Sequence, residues 1–385
     1  MQKIKIPLAD LQLGSEEIRA VTEVLQSGWL SQGPRVESLE AAFADYLGVK
    51  HAVAVANGTA ALHLACLALG LGPGDEVLCP ALTFVATANA IGYTGARPVF
   101  VDVAGPTDLN ISPKDAAAKI TPRTKAIMLV HYAGYPVAMA AFRELAARHG
   151  LALIEDCAHA PGAVYTTPAG GQKVGSLGTV ACFSFFSNKN LTTGEGGMVV
   201  TQDDQLAARL RAGRSHGMTT LTWDRHRGHS FSYDVVAPGY NYRLDEMRAA
   251  LGLVQLQRLE ENNARRRQLT QLYWENLAAL PGVELPFRDV PVAAAACHIL
   301  PVLLPPGVDR QAVMATLKEQ GIQTSVHYPP IHGFTYYQNL YPSGFDHGLP
   351  QTDEVAAREL TLPLYPTLTT AQLRAVTTAL GLALT

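Results

Sequence analysis

A single lysine lies between a strand-like segment and a glycine-rich turn. Lys189 follows the apolar run TVACFSF (residues 179–185) and precedes a loop that contains Gly194, Gly196 and Gly197. Such a lysine can form an imine with a carbonyl compound if its amine is available in the neutral form, which a partly desolvated site favours. Because a compact glycine turn leaves room for a bound group, the stretch predicts a lysine that reacts with a cofactor.

Other groups able to do chemistry follow neighbouring strand-like runs. Asp156 ends LALIED, and Ser184 lies near the end of TVACFSF. Gly58 and Thr59 begin a helix-like segment directly after HAVAVA, and Phe84 comes soon after EVLC. Since ligands of open parallel sheets bind outside the carboxyl ends of the strands, we expect these groups to meet at one edge.

Taken singly, a Gly-Thr pair is often only a helix cap, and an aspartate at a strand end is often a turn residue. Taken together, the groups fit pyridoxal 5'-phosphate, with its phosphate at a helix N-terminus and its ring against Phe84. Asp156 would keep the pyridine nitrogen protonated, so that the ring can accept electrons. Lys189, once released from the cofactor, would carry the proton of the substrate's Cα.

The composition excludes several classes of protein. The 385 residues favour two domains or one large domain with an appendage, and a hydrophobic share of 48% with only 16% charged residues predicts extensive burial. A formal charge of -3 offers no basic face for nucleic acid. No segment reads as a membrane span or a signal peptide, so we expect a cytoplasmic protein without a membrane partner. The five cysteines show neither disulfide nor zinc spacing, and no metal site is predicted.

Seven β-rich apolar runs alternate with helix-like segments between about residues 50 and 200. They are HAVAVA, EVLC, PVFVDV, AIMLVH, LALIED, TVACFSF and GMVV. The alternation predicts an α/β fold with a mostly parallel seven-stranded sheet buried on both faces.

The rest of the chain predicts a long helix followed by a smaller α+β part. Apolar residues at Leu244, Met247, Leu251 and Val254 recur at steps of three and four, as on one face of a helix. The α+β part should contain a strand at HILPVLL, a helix at DRQAVMATLKEQG, a strand at QTSVHY and a last helix from about residue 369. We therefore predict a large domain with an N-terminal arm at residues 1–255 and a small domain at residues 256–385.

Five segments carry a resemblance to a known family. NGTAALHLA, PALTFVATANAI, EDCAHAPGA, FSFFSNKNLTTGEGG and GYNYRLDEMRAALGLVQL closely resemble, in order and spacing, the DegT/StrS-type sugar aminotransferases. The resemblance extends from SGWLSQGP to LPLYP, nearly the whole chain. It implies a fold type I pyridoxal-phosphate-dependent transferase.

The resemblance also implies residue roles. Lys189 corresponds to the Schiff-base lysine, Asp156 to the partner of the pyridine nitrogen, and His159 to a residue beside the cofactor ring. Phe84 resembles the stacking aromatic, and Asn241 matches an asparagine that the neighbouring subunit donates to the phosphate, which implies a homodimer with shared active sites. Thr59, Ala60 and Ser184 resemble phosphate contacts. The predicted cofactor-binding residues are Gly58, Thr59, Ala60, Phe84, Asp156, His159, Ser184, Lys189 and Asn241.

In this family L-glutamate typically gives its amino group to the cofactor, and a nucleotide-linked keto sugar accepts it. The resemblance thus implies ping-pong transamination, with a 4-keto-6-deoxyhexose as the expected acceptor. Two alternatives stay open at this point: a cyclitol ketone as acceptor, and a non-catalytic regulator that binds the cofactor or a sugar nucleotide. The predicted substrate-binding residues are Trp29, Gly33, His216, His327 and Tyr328.

Two further features are interpreted as structural. The arginine run at residues 265–267 is interpreted as a solvated helix face. The segment at residues 219–236 carries His226 and His229, with His216 just before it. Because these histidines lack the spacing of a helical zinc motif, the segment is interpreted as an ordered loop near the dimer interface and substrate mouth.

Overall fold

The computed structural model describes residues 4–167, 170–219, 232–341 and 348–385. The strands are β1 (His51–Val55), β2 (Glu76–Pro80), β3 (Arg97–Val101), β4 (Val103–Gly105), β5 (Asp108–Ile111), β6 (Thr124–Val130), β7 (Ala152–Asp156), β8 (Val164–Thr167), β9 (Gly170–Lys173), β10 (Val180–Ser184), β11 (Gly197–Thr201), β12 (Leu300–Leu303) and β13 (Glu359–Leu362).

The α-helices alternate with these strands and then dominate the C-terminal part. They are α1 (Ser15–Ser27), α2 (Pro34–Leu47), α3 (Gly58–Ala68), α4 (Ala86–Tyr93), α5 (Pro113–Ala118), α6 (Met139–His149), α7 (Asp204–Arg214), α8 (Glu246–Leu277), α9 (Arg310–Glu319), α10 (Thr335–Leu340), α11 (Pro350–Arg358) and α12 (Thr370–Ala383).

A seven-stranded sheet forms the centre of the molecule, in the order β1-β11-β10-β7-β6-β2-β3. Strands β10, β7, β6, β2 and β3 pair in parallel, whereas β11 runs antiparallel to both of its neighbours. Each of the seven apolar runs forms one of these strands, which confirms the predicted mixed α/β fold. The runs read as nearly continuous apolar stretches because helices cover both faces of the sheet and create a hydrophobic core on each side.

The predicted long helix is present as α8 and contains 32 residues. It begins after Asp245, whose side chain accepts the backbone N–H of Arg248 at 2.9 Å and so caps the first turn. The predicted apolar residues Met247, Leu251 and Val254 are only partly buried.

The buried face of α8 instead carries small and polar residues where the helix packs against α1 and α2. Gly252 shows why: a Cβ atom there would come within 3.1 Å of a Leu39 methyl carbon. The close approach of two helices therefore selects small side chains, which a search for large apolar residues overlooks. The buried residues in the first half of α8 are Glu246, Ala249, Ala250, Gly252, Gln255 and Leu259.

Three predicted elements of the C-terminal part are confirmed. The helix expected at 309–321 is α9, the helix expected from about 369 is α12, and the strand expected at HILPVLL is β12. The strand expected at QTSVHY is wrong, because only an isolated bridge between Ser325 and Thr361 forms there. The backbone N–H of His327 donates to the side-chain carboxylate of Glu359 at 2.9 Å and so does not extend a strand ladder. The antiparallel partner of β12 is β13, which the sequence analysis did not predict.

A third hydrophobic core lies mainly in the C-terminal part and also includes Ile6 from the N-terminal segment and residues that follow strands of the sheet, such as Leu82 and Tyr132. The predicted domain boundary at 255/256 falls inside α8, whose Leu259 belongs to a core of the sheet and whose Leu269 belongs to the C-terminal core. One continuous helix thus contributes to both parts, and the division into two domains stays a prediction. Within the described residues, no helix is both long enough and apolar enough to cross a membrane.

Glu246 joins the start of α8 to the start of α2. Its side chain is 3% exposed, and its carboxylate accepts backbone N–H groups from Gly33 at 2.9 Å, Arg35 at 2.8 Å and Val36 at 3.0 Å. The first N–H groups of a helix have no partner within the helix, so a carboxylate at this position satisfies them and interacts favourably with the helix dipole.

We expect Glu246→Gln to lower the free energy of unfolding by about 1.5–3 kcal/mol, the usual contribution of hydrogen bonds to a charged group. Urea unfolding at a fixed protein concentration measures the change. Glu261→Gln is the matched control, because Glu261 is exposed on the same helix. Equal losses in the two variants would contradict the role assigned to Glu246.

Candidate active site

A cavity of about 660 Å³ opens at the carboxyl edge of the sheet. It lies where β1, β2, β7 and β10 end, as the rule for ligands of parallel sheets predicts. The structure brings together here all the predicted cofactor-binding residues except Asn241, and two of the predicted substrate-binding residues. The predicted residues that line the cavity are Gly58, Thr59, Ala60, Phe84, Asp156, His159, Ser184, Lys189, His327 and Tyr328.

The N-terminus of α3 forms one wall. Asn57 caps this helix, because its side-chain oxygen accepts the N–H of Ala60 at 2.8 Å. The N–H groups of Gly58 and Thr59 come before the first intrahelical bond, which Ala61 makes to the Asn57 carbonyl. The backbone of Gly58 lies so close to Ser184 that a Cβ at position 58 would meet the Ser184 Cβ at 2.7 Å. Two amides that have no partner within the helix and one hydroxyl therefore lie close together where an anion can bind.

Asp156 ends β7 and is 6% exposed. Its carboxylate accepts the N–H of Ala158 at 3.1 Å and the hydroxyl of Thr87 at 2.9 Å, and Thr87 in turn contacts Thr83. Burial raises the pKa of this carboxyl above its ordinary value, although the two hydrogen bonds and the charge of Lys189 act in the opposite direction. Asp156 is thus a fixed, desolvated carboxylate that a cationic ring nitrogen would stabilise.

Lys189 lies in the same cavity as Asp156. Burial lowers the pKa of its amine from 10.5 to about 8, because desolvation disfavours the ammonium, while the charge of Asp156 opposes this effect. A much larger fraction of the amine is therefore neutral near neutral pH than for a solvated lysine. A neutral amine is the form that attacks a carbonyl carbon.

Aromatic and imidazole groups surround the space between Asp156 and Lys189. His159 Nε2 contacts the Tyr328 hydroxyl at 3.0 Å, and the ring of Tyr328 lies 5.9 Å from that of Phe84. Burial, followed by the charge of Lys189, lowers the pKa of His327 to about 4, so its imidazole is neutral at pH 7. His327 Nδ1 contacts the Thr361 hydroxyl at 2.9 Å.

The geometry and chemistry of these residues match what pyridoxal 5'-phosphate requires. No group in the described part of the chain forms a hydrogen bond to Nδ1 of His159, although this atom is buried and the charge of Lys189 acts on the ring. Phe84 is 57% exposed at the edge of the cavity, as expected of an aromatic ring that stacks on a ligand. An anion site, a buried carboxylate and a lysine of lowered pKa are what the phosphate, the ring nitrogen and the aldehyde of this cofactor require.

A comparison with known families decides the relationship. Residues 11–381 match the profile of the DegT/DnrJ/EryC1/StrS aminotransferase family. The chain belongs to this family. It is accordingly a pyridoxal-phosphate-dependent aminotransferase, which confirms the family, the enzyme class and the cofactor predicted from the sequence.

Solved structures of aminotransferases resemble this one over nearly their full length. DesV from S. venezuelae is 38% identical with a TM-score of 0.88, and the alignment covers 99% of this chain and 98% of that one. The sugar aminotransferase CalS13 from Micromonospora echinospora is 36% identical (TM-score 0.87; 98% and 99% covered). PseC from Helicobacter pylori, an aminotransferase involved in the biosynthesis of pseudoaminic acid, is 30% identical (TM-score 0.90; 98% and 99% covered).

Four predicted residues lie outside the cavity lining of this aminotransferase. Asn241 is exposed and forms a backbone bridge with Ser215. Gly33 donates its N–H to Glu246, and Trp29 donates its indole N–H to the Gln32 carbonyl at 3.2 Å. The fourth, His216, follows α7 with a positive φ of 59°. His226 and His229 lie outside the described residues.

The cavity also contains residues that the sequence analysis missed. His63 contacts the Tyr242 hydroxyl at 3.0 Å, and both line the side of the cavity formed by α3. The interpretation of residues 265–267 as a solvated face is wrong for Arg266, which is 4% exposed. Its guanidinium donates to the backbone carbonyls of His298 and Leu364, at 3.1 and 2.9 Å. A histidine inside the first turns of α3 was the available signal for His63, whereas no local pattern marks the buried member of an arginine triplet.

We expect Gly58→Ala to weaken cofactor binding by about tenfold or more, since a loss of 1.4 kcal/mol already has this effect. The added methyl group would push against Ser184 where the phosphate is expected to bind. Fluorescence titration of apoprotein with pyridoxal 5'-phosphate measures the affinity. Gly72→Ala is the control, since a Cβ there would meet nothing closer than 4.0 Å. Unchanged affinity in Gly58→Ala would exclude the phosphate from this helix end.

Proposed function

We propose that this aminotransferase moves an amino group from L-glutamate to a nucleotide-linked keto sugar, with a 4-keto-6-deoxyhexose as the favoured acceptor, in the cytoplasm. The observation that supports it most strongly is the placement of Lys189 and Asp156 in one cavity at the sheet edge. Support for a sugar acceptor comes from CalS13, a sugar aminotransferase, and from PseC, which acts in the biosynthesis of pseudoaminic acid.

The proposal assigns a task to the groups that would hold the cofactor and move the proton. Gly58, Thr59 and Ser184 hold the phosphate, and the Asp156 carboxylate keeps the ring nitrogen protonated. Pyridoxal 5'-phosphate, when bound, supplies a ring that accepts the electrons left behind when a proton leaves the substrate's Cα. Lys189 Nζ, as a neutral amine, would take the proton from the substrate's Cα and deliver it to the cofactor carbon that carried the aldehyde, so that the amino group stays with the cofactor.

The same cavity has room for the acceptor next to the cofactor. Its remaining wall contains Tyr93, Phe186 and Tyr242, whose rings offer apolar faces, and the rings of Tyr93 and Phe186 are exposed. His327 is neutral at pH 7, and because its Nδ1 contacts the Thr361 hydroxyl, its Nε2 is the nitrogen that can donate to or accept from a sugar hydroxyl. We therefore assign His327 and Tyr328 to the acceptor.

Shared active sites in a homodimer complete the proposal. Asn241 is exposed on this chain and does not line its own cavity, as expected of a side chain that serves a neighbouring subunit. Val235 and Val236, close to it in sequence, are 54% and 63% exposed, and two neighbouring exposed valines suit an interface.

The first test follows the absorbance of the holoenzyme while L-glutamate is added. We expect the visible band of lysine-bound pyridoxal phosphate to give way to the near-ultraviolet band of pyridoxamine phosphate. Nucleotide-linked keto sugars and cyclitol ketones are then added in turn, and the acceptor is the compound that restores the first band. If only a cyclitol ketone restores the visible band, a cyclitol acceptor replaces the proposed sugar. If L-glutamate leaves the spectrum unchanged, the result favours the non-catalytic regulator.

We expect Asp156→Asn to lower kcat on the order of 100-fold or more while cofactor still binds, because a neutral amide cannot stabilise a protonated ring nitrogen. Lys189→Ala should abolish turnover. The control is Asp204→Asn, since the Asp204 side chain is 71% exposed at the surface. Full activity of Asp156→Asn would remove the role proposed for this carboxylate.

Mixed dimers test the shared site. We expect Lys189→Ala and Asn241→Ala homodimers to be inactive or strongly impaired, since each lacks one group in both sites. After unfolding and joint refolding, half of the dimers should be mixed, and each of these should contain one intact site, so about a quarter of the wild-type activity returns. No recovery in a mixture that contains mixed dimers by mass spectrometry would contradict the assignment of Asn241.

A further inference from the structure

A buried histidine that the mechanism does not use lies beside the lysine. His298 immediately precedes Ile299 and β12, and its side chain is 5% exposed. Its Nε2 atom lies 3.5 Å from Nζ of Lys189, and its ring centre lies 4.4 Å from that of His159. The distance to Nζ is at the long end of hydrogen bonding, and the flexible lysine stem can shorten it.

Hydrogen bonds behind His298 determine which of its nitrogens carries the proton. The amide nitrogen of Asn190 donates to the side-chain oxygen of Asn263 and to the Ala296 carbonyl, both at 2.8 Å. Asn190 therefore presents its oxygen to Nδ1 of His298, at 2.9 Å. An oxygen accepts, so Nδ1 carries the proton and Nε2 turns a lone pair toward Lys189.

The orientation of Asn190 is itself fixed by a further residue. The amide nitrogen of Asn263, on α8, donates to the Pro161 carbonyl at 2.9 Å, so the Asn263 oxygen is the atom that faces Asn190. Arg266, one turn further along α8, donates to the backbone carbonyl of His298. His298 is thus held by hydrogen bonds to both its imidazole ring and its backbone carbonyl.

Among the described residues, Asp156, His159, His298 and His327 interact electrostatically with Lys189, and Glu195 and Tyr328 line the same cavity. Burial comes first, and the charge of Lys189 second, among the effects that hold the pKa of His298 well below its ordinary value. His298 is therefore neutral at the pH at which Lys189 titrates.

We propose that His298 is a positioning residue for Lys189. Its Nε2 accepts a hydrogen bond from the lysine amine whenever that amine is not bonded to the cofactor. Asn190 selects the tautomer of His298 that makes this hydrogen bond possible. The inference rests on the proposed role of Lys189. It goes beyond that role because it names where the free amine is held between the two half-reactions.

This arrangement excludes His298 as the base that deprotonates Lys189. Transfer of the proton from the ammonium to Nε2 would be uphill, because the pKa of the histidine lies far below that of the lysine. A neutral acceptor instead stabilises the ammonium more than the amine. His298 consequently raises the pKa of Lys189 and keeps burial from lowering it further.

The test measures the pKa of Lys189 in apoprotein, without substrate or cofactor. Cyanate carbamylates the neutral form of an amine, and mass spectrometry of the peptide that contains Lys189 gives the rate at each pH. The exposed Lys125 of the same sample corrects for the reagent. The variants are His298→Phe, which removes the acceptor, and His298→Gln, whose amide can donate to Asn190 and accept from Lys189. Thr270→Val, a buried and nearly isosteric change on α8, is the packing control.

We expect the midpoint of Lys189 to fall by about one pH unit in His298→Phe, since one unit corresponds to the loss of a typical hydrogen bond to a charged group. His298→Gln and Thr270→Val should keep the wild-type midpoint. A midpoint in His298→Phe equal to that of wild type would overturn the proposal, and so would a His298→Gln variant that behaves like His298→Phe. Because no substrate is used, failure here is separate from failure of the sugar proposal.

A measurement on the wild-type apoprotein avoids any folding defect of the variants. Long-range 1H–15N NMR of histidine-labelled protein at pH 8 reports the tautomer, with His298 assigned as the signal that His298→Gln lacks. We expect a protonated Nδ1 and an unprotonated Nε2. A protonated Nε2 cannot accept from Lys189 and would overturn the proposal.

Discussion

The rest of the structure depends on one requirement: an amine and a carboxylate must both be held in one buried cavity. Desolvation disfavours the charged form of each, so each needs hydrogen bonds that hold it in place without cancelling its reactivity. Thr87 and Ala158 do this for Asp156. For Lys189 two effects oppose each other. Burial lowers the pKa of the amine and the charge of Asp156 raises it, so the pKa is about 8.

The sheet makes this arrangement possible because its strands deliver groups from distant parts of the chain to one edge. Asp156 comes from β7, Ser184 from β10 and Gly58 from the start of α3, just after β1. Behind the cavity, Glu155 points away from Asp156 into the core, where its carboxylate accepts from Tyr165 and from the N–H groups of Gly175 and Gly178. Its neighbour in sequence is thereby anchored from the opposite face of the sheet.

Much of this arrangement could be predicted from the sequence, because the groups that do chemistry follow apolar runs directly. The seven strands of the sheet and the cavity residues from Gly58 to Lys189 obey local rules of this kind. His298 does not, since it contacts Lys189 across 109 positions and only the folded chain brings the two together. The strand β13 and the buried face of α8 were not predicted for a related reason. A short strand and a helix face of small residues are determined by what packs against them and carry no strong local sequence pattern.

Helix α8 has a consequence for building hybrid enzymes from this family. Its first residue, Glu246, holds the amides at the start of α2, its middle turns hold Asn190 and the backbone of His298 through Asn263 and Arg266, and its last turns fill the C-terminal core. At 1.5 Å per residue it is a rod about 48 Å long. A crossover between two parental genes inside this helix would combine contact residues from two different parents. Productive junctions are therefore to be sought before residue 246 or after residue 277.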